Sequence, residues 1–186
     1  MKLYKNVDIC DLNSILSKGI LSLDESGNNN WEEGKRAKNP TDCVYLFQPI
    51  EGKPNVFPKY GVALLEVEVE SAKKSDFTEN DVHKAEYIEY VTAKVEASAI
   101  KRVLIPEIFQ SRLELPEEVV NRVEFCGMAA KIYGDDELEE ASEEVLEMFA
   151  KTAPIENSTC FNFFRGIDEK NHLEDLYDIR YIFDMK

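Results

Sequence analysis

The chain is poor in the side chains on which several large enzyme classes depend. Its 186 residues hold two histidines, His83 and His172, and neither has a partner at metal-ligand spacing. A zinc site and a serine–histidine hydrolase are therefore not expected. The four cysteines (Cys10, Cys43, Cys126 and Cys160) lie far apart with no Cys-x-x-Cys pair. Reduced thiols in a cytoplasmic protein are expected rather than a disulfide framework. The opening residues carry no apolar leader, and no run reaches the roughly 18 apolar residues of a membrane span. Basic side chains are also scarce: 22 Lys and Arg against 37 Asp and Glu leave a net charge of −15. A surface this acidic repels phosphate backbones unless a basic patch is set apart from it. The densest basic cluster, Lys35-Arg36-Ala37-Lys38, is short. The acidity itself has two readings, plain solubility or imitation of nucleic acid toward a nucleic-acid-binding partner.

Hydrophobic residues make up 44% of the chain, an ordinary fraction for a globular protein, and the length suits one domain with a real core. Residues 2–7 read as a first strand. Leu12, Ile15 and Leu16 follow the i, i+3, i+4 spacing of a buried helical face, with Asp8 or Asp11 as cap and Gly19 as stop. Residues 20–23 then leave in extended form. Residues 24–42 make a polar loop, and a loop of that length is usually functional or disordered. It holds the single tryptophan, Trp31, which reads as an anchor to the core or as a stacking surface for a flat ligand. Residues 43–47 form a short apolar strand, and 48–59, with Pro49, Pro54 and Pro58, another loop. Next, Leu65, Val67 and Val69 alternate with Glu66, Glu68 and Glu70. That pattern predicts a strand with one wet side and three solvated glutamates. Residues 71–82 read as a polar connection.

The stretch from His83 to Val103 organises the rest. Tyr87-Ile88-Glu89-Tyr90-Val91-Thr92 is rich in strand formers. Alternation puts Tyr87, Glu89 and Val91 on one face and Glu86, Ile88, Tyr90 and Thr92 on the other. Either way a carboxylate falls among residues that favour burial. Glu86 and Glu89 are then either edge charges that discourage aggregation or carboxylates held on a rigid strand for chemistry. Residues 99–105 read as a second strand with Ile100 and Val103 inward or in a junction. Beyond Pro106 the character changes. Two helical turns over 107–113 precede a helix from Pro116 with Val119, Val120, Val123 and Met128 on its apolar side. A further helix over 137–150 and a closing strand over 178–183 complete a single domain, 1–186. Its core is 1–106, and 107–186 is a helical extension with a closing strand.

The order of these parts resembles the ADP-ribosyltransferase-like fold, which includes DarT-type enzymes and RNA 2′-phosphotransferases. Leu3-Tyr4, Ile15-Leu16-Ser17-Lys18-Gly19-Ile20, Val44-Tyr45-Leu46 and Glu89-Tyr90-Val91 through Ile100 occupy the places of that family's motifs, over residues 1–106. Two positions depart from it. Lys5-Asn6 stands where the family has a histidine or arginine, and the serine near Phe47 is absent. The resemblance implies an α+β protein with a split, twisted sheet enclosing a cleft, and helices added at the C-terminal end. It also implies an NAD-dependent transferase in which a carboxylate holds the ribose and stabilises the cation formed as nicotinamide leaves. Glu89 is the first choice for that carboxylate and Glu86 the second. Tyr45 would stack on nicotinamide. Tyr4, Lys5 and Asn6 would contact the adenosine side or ribose hydroxyls, with Lys5 or Arg36 for the pyrophosphate, and Trp31 would lie on a covering loop. The negative charge favours a protein acceptor over nucleic acid. Two further readings stand beside this one. One is a non-catalytic member of the fold acting as an acidic binding or inhibitory protein, for example a phage protein against a host defence. The other is an unrelated α+β protein, in which Cys10 or Cys43 with His83 would be a weak option for thiol chemistry.

Overall fold

The computed structural model describes residues 1–27, 40–50, 63–84, 87–113, 115–126, 128–132, 139–140 and 176–181. Strand β1 (Lys2–Val7) leads through a 3-10 turn (Ile9–Asp11) to helix α1 (Leu12–Lys18) and the one-turn helix α2 (Leu23–Ser26). Strands β2 (Val44–Pro49) and β3 (Ala63–Glu68) follow, then a 3-10 helix (Ser71–Asp76), β4 (Thr78–Asn80), β5 (Tyr87–Thr92) and β6 (Ile100–Pro106). A 3-10 helix (Glu107–Arg112) and α3 (Glu117–Val120) precede β7 (Val123–Cys126), β8 (Met128–Ile132), β9 (Glu139–Glu140) and β10 (Leu176–Tyr181). Seven strands form one open sheet in the order β4-β5-β2-β1-β3-β6-β7. Every neighbouring pair in it is antiparallel except β6–β7. Strands β10-β8-β9 form a second, antiparallel sheet. The architecture is α+β. Among the described residues no helix is long and apolar enough to cross a membrane.

The junctions within the large sheet are unequal. β1 runs beside β3 over six residue pairs and β2 beside β5 over six, but β1 meets β2 only where Tyr4 faces Phe47. Two wings, β4-β5-β2 and β1-β3-β6-β7, therefore join at a single pair. Lys5 reaches across this gap, its Nζ donating to the Tyr45 carbonyl oxygen at 3.2 Å. An ammonium thus serves a backbone acceptor where the β1–β2 ladder has ended.

Side-chain alternation divides the sheet into two faces. The first carries the main core: Leu3, Val7, Leu46, Leu65, Val67 and Val103 are all buried, with Leu12 of α1 and Phe109 packed among them. The second carries a smaller buried cluster of Tyr4, Leu64, Leu104 and Cys126, with Phe47 against it. A bulge in the β3–β6 ladder shapes both. Glu66 pairs with Arg102 but Val67 pairs with Ile100, so Lys101 is the extra residue. Without that irregularity Ile100 and Arg102 would share a face; with it Ile100 joins the main core and Arg102 turns to the other side. Ile100 and Val103 are thus both inward, as the sequence suggests, although three positions separate them.

Helix α1 forms where expected, and Gly19 ends it with φ +89°. Its backbone approaches the β5–β6 connection so closely that a Cβ would overlap the Val95 carbonyl oxygen. The next residue, Ile20, exchanges backbone hydrogen bonds with Val95 at 2.8 and 2.9 Å. Residues 20–23 are not extended throughout. Ser22 caps α2, accepting from the Glu25 N–H at 3.2 Å. The helix expected from Pro116 stops after one turn, and Val123 and Met128 lie in β7 and β8 instead. β-branched valines resist a helical continuation, and parallel pairing with β6 gives β7 a place on the sheet. Within the helix expected over 137–150, Glu139 and Glu140 form β9, and its other residues lie outside the described ones. The closing strand begins at Leu176, two residues earlier than expected, and runs to Tyr181; residues 182 and 183 lie outside the described ones.

Gly19→Ala is expected to lower stability by about 2 kcal/mol or more, since it combines a disfavoured φ with a clash against backbone. A urea titration followed by far-UV circular dichroism measures it, and Ser17→Ala, at an exposed site, is the near-neutral control.

Candidate functional site

Register places six side chains from six strands in one row across the second face. Asn80 of β4 pairs with Glu89 of β5, Glu89 with Phe47 of β2, Phe47 with Tyr4 of β1, Tyr4 with Glu66 of β3, and Glu66 with Arg102 of β6. The middle of the row is aromatic. The Tyr4 and Phe47 rings lie 6.0 Å apart, tilted by 35°, and Phe47 and Tyr87 lie 5.7 Å apart, tilted by 59°. Tyr4 is 1% exposed, Glu66 5% and Glu89 9%. Two carboxylates therefore flank an aromatic pair on a largely dry surface.

The two are held differently. Glu66 sits among cations: Arg102 Nη2 donates to its Oε2 at 3.0 Å, Lys2 Nζ lies 3.4 Å from Oε1, and the Tyr4 hydroxyl donates to Oε2 at 3.4 Å. Arg102 also reaches Glu124 at 3.0 Å. Glu89 Oε1 accepts from the Asn80 side-chain amide at 2.7 Å. Three strand spacings separate Glu66 from Glu89, on the order of 14 Å at about 4.8 Å each. That is well beyond the roughly 5–9.5 Å of paired glycosidase carboxylates, so the two cannot share one reacting bond.

Of the residues singled out in the sequence, Tyr4, Asn6, Tyr45 and Glu89 fall on this same face by alternation and register. The Tyr45 hydroxyl donates to the Pro40 carbonyl oxygen at 3.1 Å. Lys5 falls on the opposite face, in register with Leu65. Trp31, Arg36 and Glu86 lie outside the described residues. Glu66 was missed, because an alternating Leu-Glu-Val-Glu strand looks the same whether its acidic side is wet or paired. The signal that finds it is Arg102 opposite, visible only once the β3–β6 register is known.

A cavity of about 640 Å³ lies elsewhere, lined by Met1, Val69, Phe77, Thr92, Val95 and Ala99 among others. None of Tyr4, Asn6, Tyr45 and Glu89 lines it, and Thr92 is on the strand face opposite to Glu89. Among the described residues no three His, Cys, Asp or Glu side chains are grouped to hold a metal ion. Two of the thiols are held in the protonated form by their surroundings. Loss of hydration, followed by the charges of Asp11 and Asp8, pushes the Cys10 thiol up from its ordinary value. Burial, followed by Glu124 and Glu107, pushes Cys126 up to about 12, against the opposing pull of Arg102. Neither offers the thiolate that nucleophilic chemistry needs near neutral pH.

No family model, curated protein or solved structure matches the chain.

Two expectations follow from these environments. Arg102→Ala leaves Glu66 buried without its closest cation and is expected to cost about 3 kcal/mol in chemical denaturation. Glu124→Ala, which removes an exposed partner, is expected to cost less than about 1 kcal/mol. The folded Cys126 thiol also keeps its proton to higher pH than the unfolded one. Its effect on stability is absent well below pH 9.0 and grows as a loss while pH rises from there toward about 12. Cys126→Val is expected to flatten that alkaline loss; an unchanged pH profile of the urea midpoint between wild type and variant would contradict the burial argument.

Proposed function

We propose that the chain is an NAD-dependent ADP-ribosyltransferase that modifies a protein target, with Glu89 as its catalytic carboxylate. The observation that carries the reading is Glu89 itself: a buried carboxylate, hydrogen-bonded by Asn80, on the face that also bears Tyr4, Phe47 and Tyr87. It stands one strand away from the single pair that joins the two wings of the sheet. That division supports the split sheet of the ADP-ribosyltransferase type, with the cleft on the Glu89 side.

NAD supplies the bond that breaks, between the ribose anomeric carbon and the nicotinamide nitrogen, with the electron pair leaving on nicotinamide; a nucleophilic side chain of the protein target forms the new bond to that carbon and releases its proton to solvent. Glu89 accepts a hydrogen bond from the ribose 2′-hydroxyl and offers its negative charge to the positive charge growing on the sugar. That contact strengthens toward the transition state, and low hydration makes it stronger than it would be in water. Tyr45, one turn of the pleat from Phe47, provides an aromatic surface for nicotinamide, and Tyr4 and Asn6 face the same side. The net charge of −15 disfavours a nucleic-acid acceptor.

A second reading has its own support. The Lys5 ammonium, which stands in the place of the family's histidine or arginine, is bonded to the Tyr45 carbonyl oxygen and lies on the face opposite to Glu89. A chain that has given up that cation is an acidic binding or inhibitory protein built on the same fold.

Glu89→Gln separates the two. Gln keeps the shape and can still meet the 2′-hydroxyl but removes the charge. In a transferase, nicotinamide release is expected to fall by about 10²-fold or more, while calorimetry shows NAD binding largely retained. If Glu86→Gln abolishes release and Glu89→Gln does not, the carboxylate is Glu86. A wild type that gives no heat with millimolar NAD and no nicotinamide beside any candidate acceptor leaves the binding protein.

A further inference from the structure

Resting on the transferase reading, we propose that Asn80 is the positioning residue of Glu89: its amide holds the carboxylate in the orientation the ribose requires. The two residues are direct cross-strand partners on β4 and β5, and the 2.7 Å bond between Asn80 Nδ2 and Glu89 Oε1 is as short as charge-assisted bonds become. Its direction is fixed by chemistry. An ionised carboxylate only accepts, so the amide must present its NH2 group and not its oxygen. A shape-preserving change from amide to acid therefore inverts the interaction.

The build of β4 points the same way. It is a three-residue edge strand between two 3-10 segments, Ser71–Asp76 and Asp81–His83. Thr78 and Glu79 are exposed, and Asn80 is the one side chain of the strand that is partly buried. The strand thus adds little apolar burial to the sheet. What it delivers is one amide to one carboxylate, from the side away from Phe47. An amide steers a carboxylate without cancelling its charge, which suits a group whose charge is the working part.

The experiment uses the full chain, with Asn80→Ala and the isosteric Asn80→Asp. Side-chain scalar couplings of Glu89, measured by NMR without any ligand, report its rotamer; nicotinamide release reports kcat and KM for NAD. One dominant Glu89 rotamer is expected in the wild type and rotamer averaging in both variants. The kcat is expected to fall by about tenfold or more, more in Asn80→Asp, with KM within about twofold. A role limited to holding β4 in place would lower Tm in Asn80→Ala and leave the Glu89 rotamer alone. An unchanged rotamer in both variants overturns the assignment, as does a disordered rotamer with undiminished kcat. If the wild type releases no nicotinamide, the transferase reading falls, and the rotamer measurement still decides whether Asn80 orients Glu89.

Discussion

Loss of water from two carboxylates on one sheet face is the constraint to which the surrounding structure answers. A buried carboxylate is tolerated only when its lone pairs are occupied. Glu66 meets that demand with Arg102, Lys2 and the Tyr4 hydroxyl, and three strands must keep their register for this to hold. Glu89 meets it in part with the Asn80 amide, which ties the edge strand β4 to the interior of its wing. The aromatic pair Tyr4 and Phe47 stands between them at the only point where the wings pair. A slip of one residue in β1 would carry Tyr4 to the other face and expose both carboxylates to the wrong neighbours.

The bulge at Lys101 belongs to the same accounting. Arg102 faces Glu66 in regular register with Val103 and Leu104, and the extra residue that precedes it lets Ile100 fill the main core beside Val67. One backbone irregularity therefore keeps a charge pair on one side compatible with a packing need on the other. Gly19 acts comparably, since the absence of a side chain lets α1 end against the Val95 carbonyl.

Much of this was legible in the sequence, and the failures have physical causes. Period-two alternation, period-3.6 spacing and a terminal glycine are local signals, and they mark β1, β5 and α1 at or near their observed limits. The α2 turn carries a capping pattern, Ser22 with Glu25 three residues later and Gly27 beyond, which the apolar residues before it mask. β7 follows a sequence that reads as helix, because Pro116 and two glutamates do begin one, and only the pairing with β6 shows why it ends. In the candidate site, Glu89 stands out in the sequence by its apolar neighbours. Glu66 and Asn80 depend on cross-strand partners more than thirty and nine positions away, respectively, and no local pattern announces them.

The position of β1 in the sheet bears on how the chain assembles. β1 is the central strand of the large sheet, and its neighbours on either side, β2 and β3, begin some forty and sixty residues later in the chain. Its Leu3 and Val7 belong to a core that also requires Val103 and Ile105. β1 therefore gains its sheet partners only with β2 and β3, and the core under it closes only once residues 103–105 have been made, past the middle of the 186-residue sequence. Such long-range closure slows folding and leaves strand edges open to other chains in the meantime. The net charge of −15 sets such chains against one another by repulsion while they wait.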